Sequence, residues 1–398
     1  MEQYILSLFY IAILLVMGVI VTAITNKLRL SNVLFLVLAG FGLTVFGLEV
    51  FSHEFTLAIG ALALILIVLE TAMEVDLTHI LKNFLQVLKF NLIFFVITTY
   101  LLTLFVYMTF DIPGNPFQTL ILCVLLSIII YGSDSSISME FFKGKKNKIN
   151  EMLKIEGVIS GPIVVVFAFF LIGYLESATA LDAQMITNSA FVASAEILFA
   201  VLFGIFMAYF FFQLMKHFNI TKELSALLIL SVAIFIFVIT EYLGANGSLA
   251  VAVYGIFLRG LTRKAAHKKY FALLGHILFF IIFIIFGMQI EIPGILMWIK
   301  GLGLFALFIL IRYGCTVLFL KKLNFKEKWY FTLNVAQGIE VIMVMLLMQF
   351  YFSELAGISL ILSLAFMFFV YSYVSSTFAV HFSHKMLRKS KSTKTIKK

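Results

Sequence analysis

From its sequence this chain reads as an all-α polytopic membrane protein of about 13 transmembrane helices. The helices fall into two inverted six-helix repeats, with the N-terminus outside and the C-terminus inside. Composition, charge placement and an internal echo each point this way. Hydrophobic residues make up 63% of the chain and charged residues 12%, whereas soluble domains carry about 25% charged residues. Mean hydropathy is +1.11. Apolar runs near 20 residues suit helices, since a barrel would show short alternating segments. The echo is weaker: Leu38-Ala39-Gly40-Phe41-Gly42-Leu43 returns 215 positions later as Val253-Tyr254-Gly255-Ile256-Phe257-Leu258. At the same offset Ala72-Met73-Glu74-Val75-Asp76-Leu77 returns as Gly287-Met288-Gln289-Ile290-Glu291-Ile292. Seven spans separate the copies, and an odd number turns the second copy upside down in the bilayer.

The apolar segments run approximately 3–25, 31–48, 55–74, 86–110, 117–140, 151–175, 190–216, 223–243, 246–259, 270–290, 295–320, 329–352 and 355–382. The first lacks a basic leader and a cleavage site, so it is expected to be retained. The second carries the first half of the echo, and the third ends on Glu70 and the motif at Ala72. The fifth holds Gly132-Ser133-Asp134-Ser135-Ser136, and the sixth opens with Glu156, followed by Gly157, Ser160, Gly161 and Pro162. The seventh, with Glu196, links the repeats; the eighth ends near Glu241 at the outer surface. The ninth repeats the second, and the tenth carries His276 and repeats the third. Arg312 lies in the eleventh; Asn334, Gln337, Gly338 and Glu340 lie in the twelfth. The thirteenth runs into a lysine-rich tail. The expected division is a transporter domain over 1–384 and a basic, disordered cytoplasmic tail over 385–398. Within the first, repeat one covers about 1–175, the linker span 190–216 and repeat two 223–382.

The net charge of +9 is a topology signal rather than a nucleic-acid footprint. Alternate loops collect Lys27, Arg29, Lys82, Lys89, the run Lys143 to Lys148, Arg259 to Lys269, Lys321 to Lys328 and the tail. The opposite loops hold Glu49, Glu54, Asp111, Glu176, Asp182, Glu291 and Glu354. The positive-inside bias then sets the orientation. Cys123 and Cys315 lie in spans and read as small core residues, not as a disulfide or metal site.

Ionisable groups at membrane depth cost roughly 2.5–3.5 kcal/mol each on insertion scales, so each calls for a reason. The fifth segment is the best candidate for a broken helix, because serine and aspartate offer its backbone other hydrogen bonds. Non-helical backbone at that depth survives only in protein or around a cavity. In a six-plus-six repeat the fifth span pairs with the twelfth, which has its own interruption at Gln337-Gly338. Paired discontinuous segments point to a transport site. Gly161-Pro162 implies a kink that frees a carbonyl. That carbonyl, with Ser133, Asp134 and Ser160, forms an oxygen set suited to a hard cation. Arg312 stays charged and must pair; Glu156, Glu70, Glu196 and Glu340 are all possible partners. Lys300 is expected to snorkel, and His276 to serve packing or an interface.

With these residues in hand, the chain resembles the cation:proton antiporter superfamily, in its sodium/proton exchanger branch. Val68 to Leu77 is similar to the end of that family's third span, and Gly247 to Gly255 to its GSGxLAVAVAG run. Phe286-Gly287-Met288-Gln289 resembles its IGLQ element. Ser133-Asp134 stands where the family has Thr-Asp in an unwound fifth span, and Glu156 opens its ESxxND motif. Arg312 matches an arginine of the eleventh span. Two departures touch the centre of the expected mechanism. The Asn-Asp pair of the sixth span is replaced by Ser160-Gly161, and an arginine of the twelfth span by Gln337. Glu340, three residues after Gln337 and near the same helical face, is positioned to supply a carboxylate from the opposite repeat.

The resemblance implies exchange of a monovalent cation for protons by alternating access, with sodium first and lithium or potassium as further substrates. The expected cation/proton site is Ser133, Asp134, Glu156, Ser160 and Glu340, supported by Glu70, Arg312, Gln337 and Asn334. A core bundle of spans 3–6 and 10–13 would move against a steadier unit of spans 1–2 and 8–9 that dimerises. An uncoupled, channel-like cation pathway and a degenerate, non-transporting regulatory protein stay open as alternatives. No nucleophile–base pair, metal cluster or phosphate-binding loop suggests an enzyme, and no cofactor is expected. The expected partners are monovalent cations, protons, membrane lipids and a second copy of the chain, in a cell membrane.

Overall fold

In a computed structural model the described residues are 2–28, 31–46, 53–74, 77–133, 148–177, 183–218, 222–262, 268–289, 294–321, 323–352 and 355–388. Among them every regular element is helical. The helices are α1 (Glu2–Leu28), α2 (Asn32–Val45), α3 (His53–Glu74), α4 (Leu77–Thr109), α5 (Pro116–Tyr131), α6 (Lys148–Ser177) and α7 (Ala183–His217). They continue as α8 (Lys222–Tyr242), α9 (Gly247–Thr262), α10 (Lys268–Met288), α11 (Ile295–Phe319), α12 (Phe325–Leu333), α13 (Ile339–Tyr351) and α14 (Ile358–Arg388).

Boundaries depart from the hydropathy reading at several helices, among them α7, which starts at Ala183 rather than 190. Helix α4 begins at Leu77, ahead of its apolar run, because Leu77, Leu81, Lys82 and Leu85 are good helix formers. The tail was expected from 385, but α14 stays helical through Arg388 for the same reason. The twelfth segment is two helices, α12 and α13, separated by residues 334–338. Asp134, Ser135 and Ser136, the basic run Lys143 to Lys146 and residues 389–398 lie outside the described residues.

Among the described residues six helices hold stretches long and apolar enough to cross a bilayer: Gln86–Thr109, Ile149–Ile172, Ser194–His217, Leu224–Tyr242, Ile295–Phe319 and Ile358–Ala379. Seven further apolar stretches span 10–17 residues each. Several helices present whole apolar faces outward: Val16, Val19 and Ile20 on α1, Leu92, Val96 and Tyr100 on α4, and Leu198, Leu202 and Phe206 on α7. Helical spacing of exposed apolar side chains on this scale suits hydrocarbon, not water. Polar termini are tied locally. Helix α9 is capped twice: the Leu249 amide donates to Asn246 Oδ1 and the Gly247 amide to Glu241 Oε1, each at 2.8 Å. Glu241, placed by sequence at the outer surface, is thus a capping carboxylate that neutralises the orphan amides of a helix start.

The echo of the sequence falls on two reciprocal helix crossings. A Cβ added at Gly40 of α2 would lie 2.0 Å from the Ile284 carbonyl oxygen of α10; one at Gly287 would lie 2.0 Å from that of Val37. On the other side, a Cβ at Gly255 of α9 would meet Ala72 Cβ of α3 at 2.8 Å. The offset of 215 carries Gly40 onto Gly255 and Ala72 onto Gly287. So the same two motif positions meet at both crossings, the contact pattern of a two-fold relation. In lipid such small-residue crossings replace the missing hydrophobic drive with close backbone packing. Thr44 adds a hydroxyl bond to the Met288 carbonyl at 3.0 Å.

Gly287→Ala is expected to destabilise the protein by about 1–3 kcal/mol, since a backbone carbonyl cannot step aside. Gly314 of α11 has open space beyond it. Gly314→Ala should be neutral or mildly stabilising, about 0.5–1 kcal/mol, through helix propensity. Thermal denaturation of the two variants in detergent checks the contrast.

Candidate ion-binding site

The interruption between α12 and α13 organises the site. Helix α12 starts on a capping box of Asn324 and Glu327 and ends at Leu333. The backbone of 334–338 then leaves the helical path, and Gly338, with extended φ −83° and ψ 175°, restarts it as α13. Freed backbone groups in a membrane core need partners, and α14 supplies them. The Ser375 hydroxyl donates to the Leu333 carbonyl at 2.9 Å, and the Val335 amide donates to Ser376 Oγ at 3.0 Å. The Tyr373 hydroxyl donates to the Gln337 carbonyl at 2.6 Å. The Gln337 side chain donates in turn to the Ile129 carbonyl, 3.2 Å away in the last turn of α5. Sequence reasoning located an interruption at Gln337-Gly338 but missed these α14 hydroxyls. Their signal was present: a run of tyrosine and serine from Tyr371 to Ser376 inside an otherwise apolar span.

Arg312 on α11 is fully buried. Its guanidinium carbon lies 5.3 Å from the ring centre of Phe94 and 5.1 Å from that of Phe331. The fork meets Glu156 of α6 bidentately, with Nη1 to Oε1 at 2.5 Å and Nη2 to Oε2 at 2.9 Å. Of the four acids open to it in sequence, the partner is Glu156. Nη2 also reaches the carbonyls of Phe331 and Asn334, each at 3.4 Å. Those are terminal carbonyls of α12, at the negative end of its dipole, where a cation belongs. One side chain therefore joins α6, α11 and the end of α12.

The acid side of this pair ties down the end of α5. Ser133 Oγ donates to Glu156 Oε1 at 3.2 Å, and Ser160 Oγ donates to the Ser133 carbonyl at 2.7 Å. Ser133, Glu156 and Ser160 are all buried. One residue further along α6, a Cβ added at Gly161 would fall 2.6 Å from Oε1 of Glu340 and 2.9 Å from its carboxyl carbon. The first turn of α13 thus places a carboxylate in the side-chain space of Gly161. Gly132 makes the neighbouring contact, since a Cβ there would lie 2.5 Å from Val341 Cγ2 and 3.0 Å from Val164 Cγ2.

The structure therefore gathers Ser133, Glu156, Ser160, Arg312, Asn334, Gln337 and Glu340 around the ends of α5, α12 and α13 and the middle of α6. Asp134, next after Ser133, lies outside the described residues. Glu70 stands against α10, where a Cβ at Gly275 would be 3.3 Å from its Oε2. The Lys300 ammonium sits 5.7 Å above the Phe110 ring, a cation–π placement in addition to the expected snorkelling. Cys123 and Cys315 are buried free thiols. Buried polar atoms without a protein hydrogen-bond partner cluster here too: Arg312 Nε, Thr332 Oγ1 and Gln337 Oε1.

A broken helix, a buried bidentate ion pair and a second acid facing a helix-interior glycine are features of a membrane protein that handles charged solutes. The chain belongs to the sodium/hydrogen exchanger family: the family model "Sodium/hydrogen exchanger, transmembrane" matches residues 11–379. It is accordingly a multi-pass membrane protein of cation/proton exchange. Its fold is similar to that of the sodium proton antiporter MjNhaP1 from Methanocaldococcus jannaschii in two structures. One, at pH 8, has a TM-score of 0.76 and 19% identity over 96% of this chain and 98% of that one. The other, an electron-microscopy structure, has a TM-score of 0.77 and 19% identity over 97% of each. No curated protein sequence matches the chain.

Proposed function

We infer that the protein exchanges sodium for protons by alternating access, with lithium and potassium as poorer substrates. The observation that carries this reading is the buried Glu340 carboxyl seated at Gly161, beside the α12–α13 interruption. A carboxyl in a low-dielectric cavity is stabilised either by a proton or by a bound cation. Competition at one group couples the two fluxes without covalent chemistry. In this reading Glu340 and Asp134 carry the exchanged ion, and the Ser133 and Ser160 oxygens complete its shell. Glu156 and Arg312 hold the charged frame in place, Asn334 and Gln337 shape the broken backbone, and Glu70 supplies a counter-charge.

The architecture belongs to the same proposal. Thirteen crossings, an outside N-terminus and an inside C-terminus follow from the charge pattern. Two inverted repeats, about 1–175 and 223–382, are supported by the reciprocal crossings at Gly40–Gly287 and Gly255–Ala72. The bundle of α3–α6 and α10–α14 moves against α1–α2 and α8–α9, and a second copy docks on the steadier unit.

Reconstituted into vesicles and given an inward sodium gradient, the protein should alkalinise the lumen, and with the gradient reversed it should acidify it. An unchanged lumen pH with all three cations would overturn the reading. Cation passage without proton movement would identify an uncoupled pathway instead.

A further inference from the structure

We propose that Gly161 is a built seat for the exchanged ion's carboxylate, and that the acid filling it comes from the opposite half of the fold. This rests on the exchange reading above and adds that the acid and its seat can change places between α13 and α6. Glycine is a poor choice inside a helix, because it loses more backbone freedom than any other residue. Other glycines here face backbone, apolar side chains or, at Gly275, one more distant carboxylate oxygen of Glu70 at 3.3 Å. Gly40 and Gly287 face backbone carbonyls at 2.0 Å, and a Cβ at Gly204 would lie 2.5 Å from the Ala250 carbonyl oxygen. Gly161 differs. The three atoms nearest to a Cβ at this position are Oε1, Cδ and Cγ of Glu340, at 2.6, 2.9 and 3.2 Å. The missing side chain makes room for a carboxyl group, not for a helix.

The surroundings separate two acids by role. Glu156 has both oxygens held by Arg312, and Oε1 also accepts from Ser133. Its charge is compensated in every step that keeps that fork intact. Glu340 lies beyond Ser160 on the other side of α6, in the first turn of α13, with 9% of its surface exposed. The seat (Gly161, Ser160 and the Ser133 carbonyl) belongs to α6 and the end of α5. The acid belongs to α13. A proton or cation bound at Glu340 therefore bridges elements from the two halves. Carrying the acid on α13 and the seat on α6 is a spatial swap of one carboxyl group. The reverse arrangement, acid on α6 and space on α13, should fill the same volume.

The test uses full-length protein in vesicles, with sodium-driven proton flux as the readout and size exclusion in detergent as the folding control. Glu340→Ala should reduce flux by at least about tenfold, the scale of one lost charge-assisted interaction. Gly161→Asp alone should also fail, since two carboxyl groups would contend for one space. The double variant Gly161→Asp/Glu340→Ala should recover at least about tenfold over Glu340→Ala. The control Gly161→Ala/Glu340→Ala should recover nothing. A folded double variant no better than Glu340→Ala would overturn the shared seat, as would a fully active Glu340→Ala. A wild-type protein that exchanges nothing would instead overturn the function itself. A milder pair keeps the question open to decision if the aspartate variants do not fold. Gly161→Ala should raise the KM for sodium, and shortening the acid in Gly161→Ala/Glu340→Asp should lower it again. A wild-type KM in Gly161→Ala would overturn the proposal.

Discussion

Arg312→Met should destabilise the protein by about 3–5 kcal/mol, because it leaves the buried charge of Glu156 without compensation. The loss would show as a lower melting temperature and as aggregation on extraction into detergent. Four interactions disappear together: two fork bonds to Glu156 and two contacts to the terminal carbonyls of α12. The Phe94 and Phe331 rings, which gain from the cation above them, lose that as well. Removing the acid at the same time should restore part of the stability. Glu156→Gln/Arg312→Met should be more stable than Arg312→Met, with a coupling of at least about 1.5 kcal/mol in the double-mutant cycle. Independent additive effects would show that the pair does not act as a unit. Arg312→Lys should not substitute, because an ammonium cannot reach Glu156 bidentately and α12 at once.

Glu340→Gln should give the opposite pairing of effects: flux lost, fold kept. The amide keeps the size of the side chain and so should still occupy the space at Gly161. It removes the carboxylate without opening a cavity at a site with 9% exposure, so the fold should be kept. The site then keeps only one of the two carboxylates assigned to the exchanged ion. Sodium-driven proton flux should fall by about 10- to 100-fold, the equivalent of a charged hydrogen bond of roughly 1.5–3 kcal/mol. Flux retained within twofold would remove Glu340 from the mechanism. Loss of flux together with a collapsed melting curve would reassign it to structure. The contrast with Arg312 is the useful part, since the two residues lie in the same region and are assigned different work.

The candidate site was partly legible before any coordinates. Glu156, Arg312 and Glu340 stood out because charge at membrane depth is costly wherever it occurs. Gln337-Gly338 marked an interruption because glycine after a polar residue weakens an apolar helix. The pairing of Arg312 was not legible, since four acids on different spans satisfied the same requirement. Partner choice depends on which helices touch, and hydropathy carries no information about that. The hydroxyls of Tyr373, Ser375 and Ser376 were overlooked for a related reason. Serines in an apolar span read as glue, and only the path of the broken backbone makes them its partners.

What the chain's own residues determined is its solvent and its periodicity. The apolar runs impose helices in lipid, because unpaired backbone groups cannot survive there. The alternation of charged loops encodes a topology, because cationic loops resist translocation. These are local or one-dimensional properties, and a string of residues can hold them. Only the tertiary structure decided that Arg312 closes on Glu156, and that Glu340 fills the space left by Gly161 of another helix. It also decided that the echo at Gly40 and Gly287 meets itself reciprocally at Gly255 and Ala72. Each is a contact between positions far apart in sequence, set by how closely backbones approach. That distance is a property of the packed assembly and of no segment alone.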